Sequence, residues 1–309
     1  MRCRSLAPLA AAMLLLLIHV VVQGQDAPVF SAASELVVLH VTVTDRRGAY
    51  VEGLPQLAFN VIEDGRAQTV SLFTDSDTPV TAGLLIDSSS SMYPHRQVVI
   101  SAGAAFAEAS NADDEIFALA FNEDVAAALS PSAPFTSDSA VLRSALTRSI
   151  TARGRTALYD AISTGVDYLA RGNRERKVLV LLSDGGDNAS RVTRDEALRK
   201  AQASNAVIYT IALIDQGSRR DANPRLLKEL AHASGGETFR PEGPMEITAA
   251  LGRIAHDIRH TYTLGYTSTN SARDGAFRSV RVVVTAPPGR PLVVRSRAGY
   301  VAGHAKGSR

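Results

Sequence analysis

Two kinds of hydrophobic pattern follow one another along this chain. In residues 36–73, apolar and polar positions alternate with a period of two, which is typical of β-strands with one buried face. The first such segment places Val37, Leu39 and Val41 on the same side. From 79 to 260, short continuous apolar runs alternate with segments of helical periodicity. The period of two then returns. The pattern therefore predicts a β region, an α/β region and a second β region.

The two outer regions predict antiparallel strands. We expect strands at 36–44, 57–62, 68–73, 262–266, 279–285 and 292–296. The dipeptide Asp64-Gly65 is a strong signal for a two-residue hairpin, so the second and third of these strands should pair. Two or three strands cannot bury both faces of a sheet. We therefore expect both groups to fold together into one β-sandwich.

The middle region predicts a parallel sheet covered by helices. Strands are expected at 80–86, 115–121, 125–129, 177–182, 206–214 and 237–239, and helices at 97–109, 141–150, 157–169, 194–204, 225–233 and 245–260. Alternation of strand and helix is the signature of a doubly wound, Rossmann-like α/β fold. The fold class is thus α/β, with this domain inserted between strands of a small β-sandwich. The expected boundaries are 35–78 and 261–301 for the sandwich and 79–260 for the α/β domain.

The first residues resemble a secretion signal. Arg2 and Arg4 precede an apolar segment at 9–22, and small or tolerated residues stand before a cleavage point at Gln25. The apolar segment is shorter than the ~20 residues that a membrane-spanning helix needs, which favours cleavage over a retained anchor. We therefore expect a signal peptide at 1–24. The mature protein would be secreted or periplasmic, without a stable membrane span.

Composition narrows the function classes. The net charge of the chain is +2, and both excess cations lie in the predicted signal, so the mature chain is neutral. A neutral chain does not favour nucleic-acid binding. The single cysteine, Cys3, also lies in the signal, so the mature chain has no disulfide and no cysteine-based metal site. Residues 25–34 read as a linker and 302–309 as a flexible tail.

Candidate functional residues lie at the end of the first strand of the α/β region. A buried apolar run ends in Asp87, and Ser89 and Ser91 follow in the next loop. Open α/β sheets bind ligands at the carboxyl ends of their strands. A carboxylate with two hydroxyls is an oxygen donor set that suits Mg²⁺ or Mn²⁺ better than zinc. The alternative interpretation of this stretch alone is a serine-rich turn that caps the next helix.

Two further segments make the motif specific. The pattern Asp-x-Ser-x-Ser resembles the first element of the metal-ion-dependent adhesion site in von Willebrand factor type A domains, and segments 154–162 and 178–188 resemble the second and third elements. The resemblance implies that Ser89 and Ser91 are direct metal ligands. It also implies that Thr156 is a switchable ligand and that Asp87 and Asp184 balance the charge. The cofactor would be Mg²⁺, or alternatively Mn²⁺ or Ca²⁺.

The outer strands carry a second resemblance. Segments 41–48, 59–65, 262–266 and 297–300 are similar to patterns in secreted bacterial proteins that carry a von Willebrand factor A-related domain. This resemblance covers almost the whole mature chain. It bears on the fold more than on the function.

The resemblance implies a binding protein and no enzyme. The expected partner is a protein that presents an Asp or Glu carboxylate to the metal. One alternative is a metal-dependent phosphatase or other hydrolase of the haloacid-dehalogenase type, but its general acid would have to be an Asp at the position of Ser89. No Gly-x-Ser-x-Gly elbow surrounds the serines either. The other alternative is a scaffold with a vestigial site, although all five site residues are intact.

Nearby polar residues have structural interpretations. Asp187 and Asn188 are predicted to be loop and cap residues rather than ligands. Asp160 is expected to cap its helix or to pair with Arg155. The histidines show no ligand spacing, and His40 is expected to be an exposed or packed residue of its strand.

Overall fold

The computed structural model describes residues 36–214, 222–285 and 291–303. The strands are β1 Leu36–Asp45, β2 Phe59–Glu63, β3 Arg66–Gln68, β4 Val70–Thr74, β5 Val80–Asp87, β6 Glu115–Phe121, β7 Val125–Ala127, β8 Arg176–Ser183, β9 Val207–Ala212, β10 Thr238–Phe239, β11 Thr261–Thr267, β12 Phe277–Val284, β13 Leu292–Arg295 and β14 Gly299–Val301. The helices are α1 Arg96–Ala109, α2 Ser139–Ser149, α3 Leu158–Leu169, α4 Arg194–Ala203, α5 Pro224–Ser234 and α6 Pro244–Arg259. Two short 3-10 helices lie at Gln56–Ala58 and Ser90–His95.

Strands β5 to β10 form the central sheet, in the order β10-β9-β8-β5-β6-β7. All neighbours are parallel except the edge strand β7, which runs antiparallel to β6. The chain first builds outward from β5 through β6 and then returns to β8 on the other side of β5. The strand order therefore reverses between β5 and β8, which is the point where doubly wound folds bind ligands.

The central strands are buried on both faces, which explains their continuous apolar runs. Every residue of β5 is buried. Leu84 and Ile86 pack in one core with residues of α1, α2 and α6, whereas Leu85 packs in a second core with residues of α3, α4 and α5. Successive side chains of a strand point to opposite faces, so one strand contributes to both cores. The predicted doubly wound α/β fold is confirmed.

Strands from both ends of the chain form two further sheets. Their orders are β13-β1-β11-β4 and β14-β12-β2-β3, and every pair is antiparallel. One core joins the inner faces of the two sheets, with Leu39, Val61, Leu264 and Val282 among its buried members. β1 lies between two strands from the carboxyl-terminal region, and β2 pairs with a third. The predicted sandwich of early and late strands is therefore present.

The strand predicted at 68–73 is wrong as a single unit. The hairpin turn at Asp64-Gly65 forms as predicted, with positive φ at both residues, and leads into β3. The chain then crosses to the other sheet after Gln68, where β4 pairs with β11. The short β14 was not predicted at all. The first difference depends on a partner that lies about 200 residues away in the chain, as for Leu72 and Gly265. The short β14 instead pairs with β12, which lies about 20 residues before it.

The sandwich packs against the amino ends of the parallel strands. His40 and Thr42 of β1 line a small cavity together with Arg176 and Val207, which begin β8 and β9. The Arg176 guanidinium also donates to the Ile258 carbonyl in α6 at 2.8 Å. The carboxyl ends of the strands therefore face away from the sandwich. At about 3.3 Å per residue, the two ends of an eight-residue strand such as β5 are roughly 25 Å apart.

Several expectations concern residues outside the described ranges. These are the signal peptide at 1–24, the linker at 25–34 and most of the tail at 302–309. Within the described ranges, no helix has the length and apolar character needed to cross a membrane.

Candidate metal-binding site

Asp87 is the last residue of β5, at the carboxyl end of the central sheet, and its side chain is fully buried. One carboxylate oxygen, Oδ1, accepts the Ser89 N–H at 2.9 Å. The other, Oδ2, accepts the Ser183 hydroxyl at 2.8 Å from the end of β8. The carboxylate is therefore oriented by its own loop and by the neighbouring strand. It forms no ion pair with any Lys or Arg in the described part of the chain.

The two serine side chains of the motif lie side by side. The hydroxyl oxygens of Ser89 and Ser91 are 3.1 Å apart. Ser89 is buried and Ser91 is half-buried, so the pair stands at the boundary between the core and solvent. The backbone of Ser89 is extended, and the short 3-10 helix that follows it leads the chain into α1. This tight turn is what brings two hydroxyls two residues apart to the same place.

The intervening serines fasten this loop to the loop that precedes α3. The Ser88 hydroxyl accepts the N–H groups of Thr151 at 2.8 Å and Ala152 at 3.1 Å. Ser90 donates both its N–H and its hydroxyl to the Gly154 carbonyl, each at 3.2 Å. The first and second elements of the motif are thus joined by hydrogen bonds independent of the candidate ligands.

Thr156 is placed by Asn188, from the loop after β8. The Thr156 N–H donates to the Asn188 side-chain oxygen at 2.9 Å, and the Thr156 carbonyl accepts the Asn188 N–H at 2.9 Å. Thr156 is buried, with 7% of its surface exposed. The second and third elements of the motif are therefore also joined to each other.

Asp184 follows β8 directly and is 4% exposed. Its Oδ1 accepts the Gly186 N–H at 2.9 Å, and its carbonyl accepts the Asn223 N–H at 3.1 Å. Gly185 has φ of +85°, and a Cβ there would lie 2.5 Å from the Asn223 carbonyl oxygen. Glycine is therefore required for the turn that holds Asp184 at the end of the strand.

Asp187 acts as a helix cap, as predicted. Its Oδ1 accepts the Leu158 N–H at 2.8 Å at the start of α3, and Ser190 donates to the same oxygen at 2.5 Å. The prediction for Asp160 is corrected in part. Its carboxylate accepts the backbone N–H groups of Arg191 and Val192, at 3.0 and 2.8 Å, and forms no ion pair with Arg155 in the described residues. It fastens the loop after Asp184 to α3.

Burial dominates the electrostatics of the site. Burial, together with the smaller effect of the negative charge of Asp184, raises the pKa of Asp87 to about 6, although the hydrogen bonds from Ser89 and Ser183 act in the opposite direction. The two carboxylates are therefore close enough to interact. A cation between them would favour the ionised form of both.

The sequence profile of the von Willebrand factor type A domain matches residues 83–253, which is more than half of the chain. The chain belongs to the von Willebrand factor type A domain family. The match begins inside β5 and ends inside α6, so it contains all five residues of the candidate site. The family is thus established for the α/β domain that carries the site. No curated protein matches the chain in sequence.

Solved structures share the fold at low sequence identity. A von Willebrand factor type A protein from Catenulispora acidiphila is 13% identical, with 88% of this chain and 75% of that chain covered and a TM-score of 0.50. Proximal thread matrix protein 1 from the mussel byssus is 12% identical, with 64% and 51% covered and a TM-score of 0.52. The von Willebrand factor domain of the pilus tip protein Mfa5 from Porphyromonas gingivalis is 17% identical, with 59% and 95% covered and a TM-score of 0.49.

The donor set of this von Willebrand factor type A domain fits a hard divalent cation. The candidate ligands offer carboxylate and hydroxyl oxygens, which Mg²⁺, Mn²⁺ and Ca²⁺ accept. Within the described residues, no group of three or more His, Cys, Asp or Glu side chains could hold a metal. The candidate site in the described part of the chain instead combines two carboxylates with hydroxyls that supply the remaining protein ligands.

Three supporting residues were not recognised from the sequence. Ser183 orients Asp87, Ser88 joins the first two loops, and Asn188 holds the Thr156 backbone. Each lies next to or within a quoted motif, but no spacing rule indicates its role. The signal that could have found Ser183 is its position as the last residue of the strand beside β5.

Proposed function

We propose that this chain is a non-enzymatic protein-binding module whose binding depends on a divalent cation. Asp87, Ser89, Ser91, Thr156 and Asp184 hold Mg²⁺, or alternatively Mn²⁺ or Ca²⁺. The observation that carries the proposal is the buried Asp87 carboxylate, oriented from two sides at the switch point of the sheet beside a pair of hydroxyls. A buried carboxylate without a positively charged neighbour is costly, and a bound cation removes that cost.

The partner is a protein that presents an Asp or Glu side chain. Three of the five protein ligands are neutral hydroxyls, so no more than two anions of the protein face the bound cation. The cation supplies an electrophilic centre with an exchangeable position, to which an anionic oxygen binds well. The half-buried Ser91 places this centre near solvent, where a partner can reach it.

The site geometry does not support the hydrolase alternative. A haloacid-dehalogenase-type enzyme needs a general acid two residues after its nucleophile, and here that residue is Ser89, whose hydroxyl lies next to Ser91. Binding is therefore the activity that these residues best support.

We also infer that the protein acts outside the cytoplasm. The predicted signal at 1–24 and the absence of cysteine from the remaining sequence support this location. Mass spectrometry of the exported protein tests it. We expect a mature chain that begins near Gln25. Exported protein that still contains residues 9–22 would indicate a retained membrane anchor.

The metal site is tested by thermal unfolding with and without Mg²⁺. At a hundredfold excess over its dissociation constant, a ligand stabilises the folded state by about 2.7 kcal/mol, which corresponds to roughly 5–10 °C for a domain of this size. Asp87→Ala should abolish this shift. Asp138→Ala is the matched control, because Asp138 caps α2 and should leave the Mg²⁺ shift unchanged.

Partner binding is tested separately with immobilised protein and an envelope extract. Proteins retained in Mg²⁺ should be released by EDTA and should not bind Asp87→Ala. Thr156→Ala keeps both carboxylates, so it should still bind Mg²⁺ but lose the partner. The proposal is wrong if neither Mg²⁺ nor Mn²⁺ shifts the wild-type melting curve. Mg²⁺-dependent phosphatase activity that disappears in Asp87→Ala would support the hydrolase instead.

A further inference from the structure

A cleft of about 760 Å³ lies between the α/β domain and the sandwich. One wall comes from the end of α5 and from β10. The other comes from β12 and from the segment that follows β13. None of the five candidate metal ligands lines this cleft. It is therefore a separate feature of the molecule, and its volume is in the range of known ligand-binding pockets.

Backbone hydrogen bonds fix the two walls relative to each other. The Ala298 N–H donates to the Ala233 carbonyl of α5 at 3.2 Å, and the Ala298 carbonyl accepts the Val280 N–H of β12 at 2.8 Å. Gly235 ends α5 with φ of +88°, and a Cβ there would lie 2.7 Å from the Arg297 backbone nitrogen. The walls are thus in direct backbone contact. These contacts hold the two walls in place.

The lining of the cleft is strongly basic. Its cationic or titratable basic side chains are Lys228, His232, Arg240, Arg281, Arg295 and Arg297. The single acidic lining residue, Glu237, is paired with Arg295 at 2.9 Å. Lys228, Arg240 and Arg281 are exposed and form no ion pair in the described part of the chain. A concave surface lined by one sign of charge attracts ligands of the opposite sign.

The apolar part of the same cleft is Val294, which is half-buried. Val280 and Val282 also line the cleft, but each is only 6% exposed because its side chain packs in the core of the sandwich. A small inorganic anion or a hydrated polysaccharide gains little from Val294. A peptide that carries an apolar side chain between acidic ones can cover Val294 while its carboxylates approach the cations of the rim.

We propose that this cleft binds an acidic, partly apolar peptide segment of a partner protein, independently of the divalent cation. Arg240 and Lys228 come from the α/β domain and Arg281 from the sandwich, so the free cations stand on both walls. A ligand with at least two separated acidic side chains can pair with cations of both walls at once. An apolar residue between them contacts Val294.

The test uses a library of random 12-residue peptides on phage, selected on the full chain in EDTA. Enriched peptides should carry two or more acids and intervening apolar residues. Synthetic versions are then measured by fluorescence anisotropy. In the variant K228Q/R240Q/R281Q their affinity should fall about tenfold to a hundredfold, as expected for the loss of three rim charges. Added Mg²⁺ and the Asp87→Ala substitution should have no effect.

The control variant R66Q/R143Q/R148Q removes three exposed arginines that do not line the cleft, so it changes the net charge equally. It should bind the peptides like the wild type, and both variants should melt at the wild-type temperature. The proposal is overturned if the enriched peptides are not acidic or if they bind K228Q/R240Q/R281Q as tightly as the wild type. The proposal is also overturned if a sulfated polysaccharide binds more tightly than the peptides and binds Val294→Ala as tightly as the wild type. The Val294→Ala variant tests whether the apolar part of the cleft contributes to binding.

Discussion

Ser183 donates its hydroxyl hydrogen to Asp87 at 2.8 Å, from the last residue of β8 to the last residue of β5. The same Ser183 oxygen accepts the Gly185 N–H at 3.0 Å. One side chain thus orients the Asp87 carboxylate and the turn that carries Asp184. It does so between the two strands where the order of the sheet reverses.

Ser183→Ala should therefore weaken the site without removing a ligand. It leaves Asp87 with one hydrogen-bond donor fewer, and loss of such a supporting partner typically lowers metal affinity by about tenfold to a hundredfold. Calorimetric titration with Mg²⁺ measures the change. The control is Ser110→Ala, whose hydroxyl donates to the Phe106 carbonyl at the end of α1. Equal Mg²⁺ affinities for the two variants would contradict the role given to Ser183.

His40 makes stability depend on pH. Burial, together with the smaller effect of the neighbouring charges of Arg176 and Arg297, lowers the pKa of His40 from 6.5 to about 3. The folded pKa lies below the unfolded one, so the unfolded state takes up the proton first as the pH falls. The associated stability is complete above pH 6.5 and is lost progressively between pH 6.5 and pH 3.

From pH 7.5 to 5.5 this single group should lower the free energy of unfolding by up to about 1.3 kcal/mol. His40→Gln cannot titrate and should lack this part of the pH dependence. Urea unfolding of both proteins at the two pH values measures the difference. A pH dependence that is the same in His40→Gln and the wild type would show that His40 is protonated equally in both states.

The interface between the α/β domain and the sandwich contains an ion pair between a half-buried arginine and a buried carboxylate. The Arg295 guanidinium of β13 donates to both carboxylate oxygens of Asp257 in α6, at 2.7 and 2.8 Å. Arg295→Met leaves the buried Asp257 without its cation, which should cost about 3–5 kcal/mol. Arg194→Met is the control, because Arg194 and its partner Glu229 are both exposed. This substitution should lower the free energy of unfolding by less than about 1 kcal/mol. Similar urea midpoints for the two variants would exclude a stabilising role for Arg295.

The early strands should depend on the late ones. β1 pairs with β11 and β13, and β2 pairs with β12. A chain that ends at 260 lacks these partners, so limited proteolysis should cut within residues 36–74, whereas the α/β domain stays protected. The fragment 79–260 alone should keep its circular dichroism spectrum. Protected early strands in the shortened chain would show that they fold without the tail.

Much of this fold could be predicted because its strands have strong local signals. The run that becomes β5 is short and mostly apolar, which favours a strand in the interior of a covered sheet. The crossing between β3 and β4 had no such signal. It is set by the pairing of β4 with β11, which only the folded chain brings together.

The candidate site divides in the same way. Asp87, Ser89 and Asp184 could be proposed from the sequence because each stands at the end of an apolar run or in a motif with fixed spacing. The partners of Asp160 could not be predicted, because its carboxylate accepts backbone N–H groups about 30 residues further along the chain. Backbone donors carry no sequence signal, so contacts of this kind cannot be read from residue types.

The insertion of the α/β domain has a mechanical consequence. The chain leaves the sandwich at β4 and returns at β11, and these strands are paired directly, with Thr74 opposite Thr263. Tension applied between residues 36 and 303 therefore passes through the ladders of the sandwich and bypasses the inserted domain. In single-molecule pulling, the α/β domain should extend only after the β4–β11 pairing has broken. The candidate metal site would thus keep its geometry while the protein is under load.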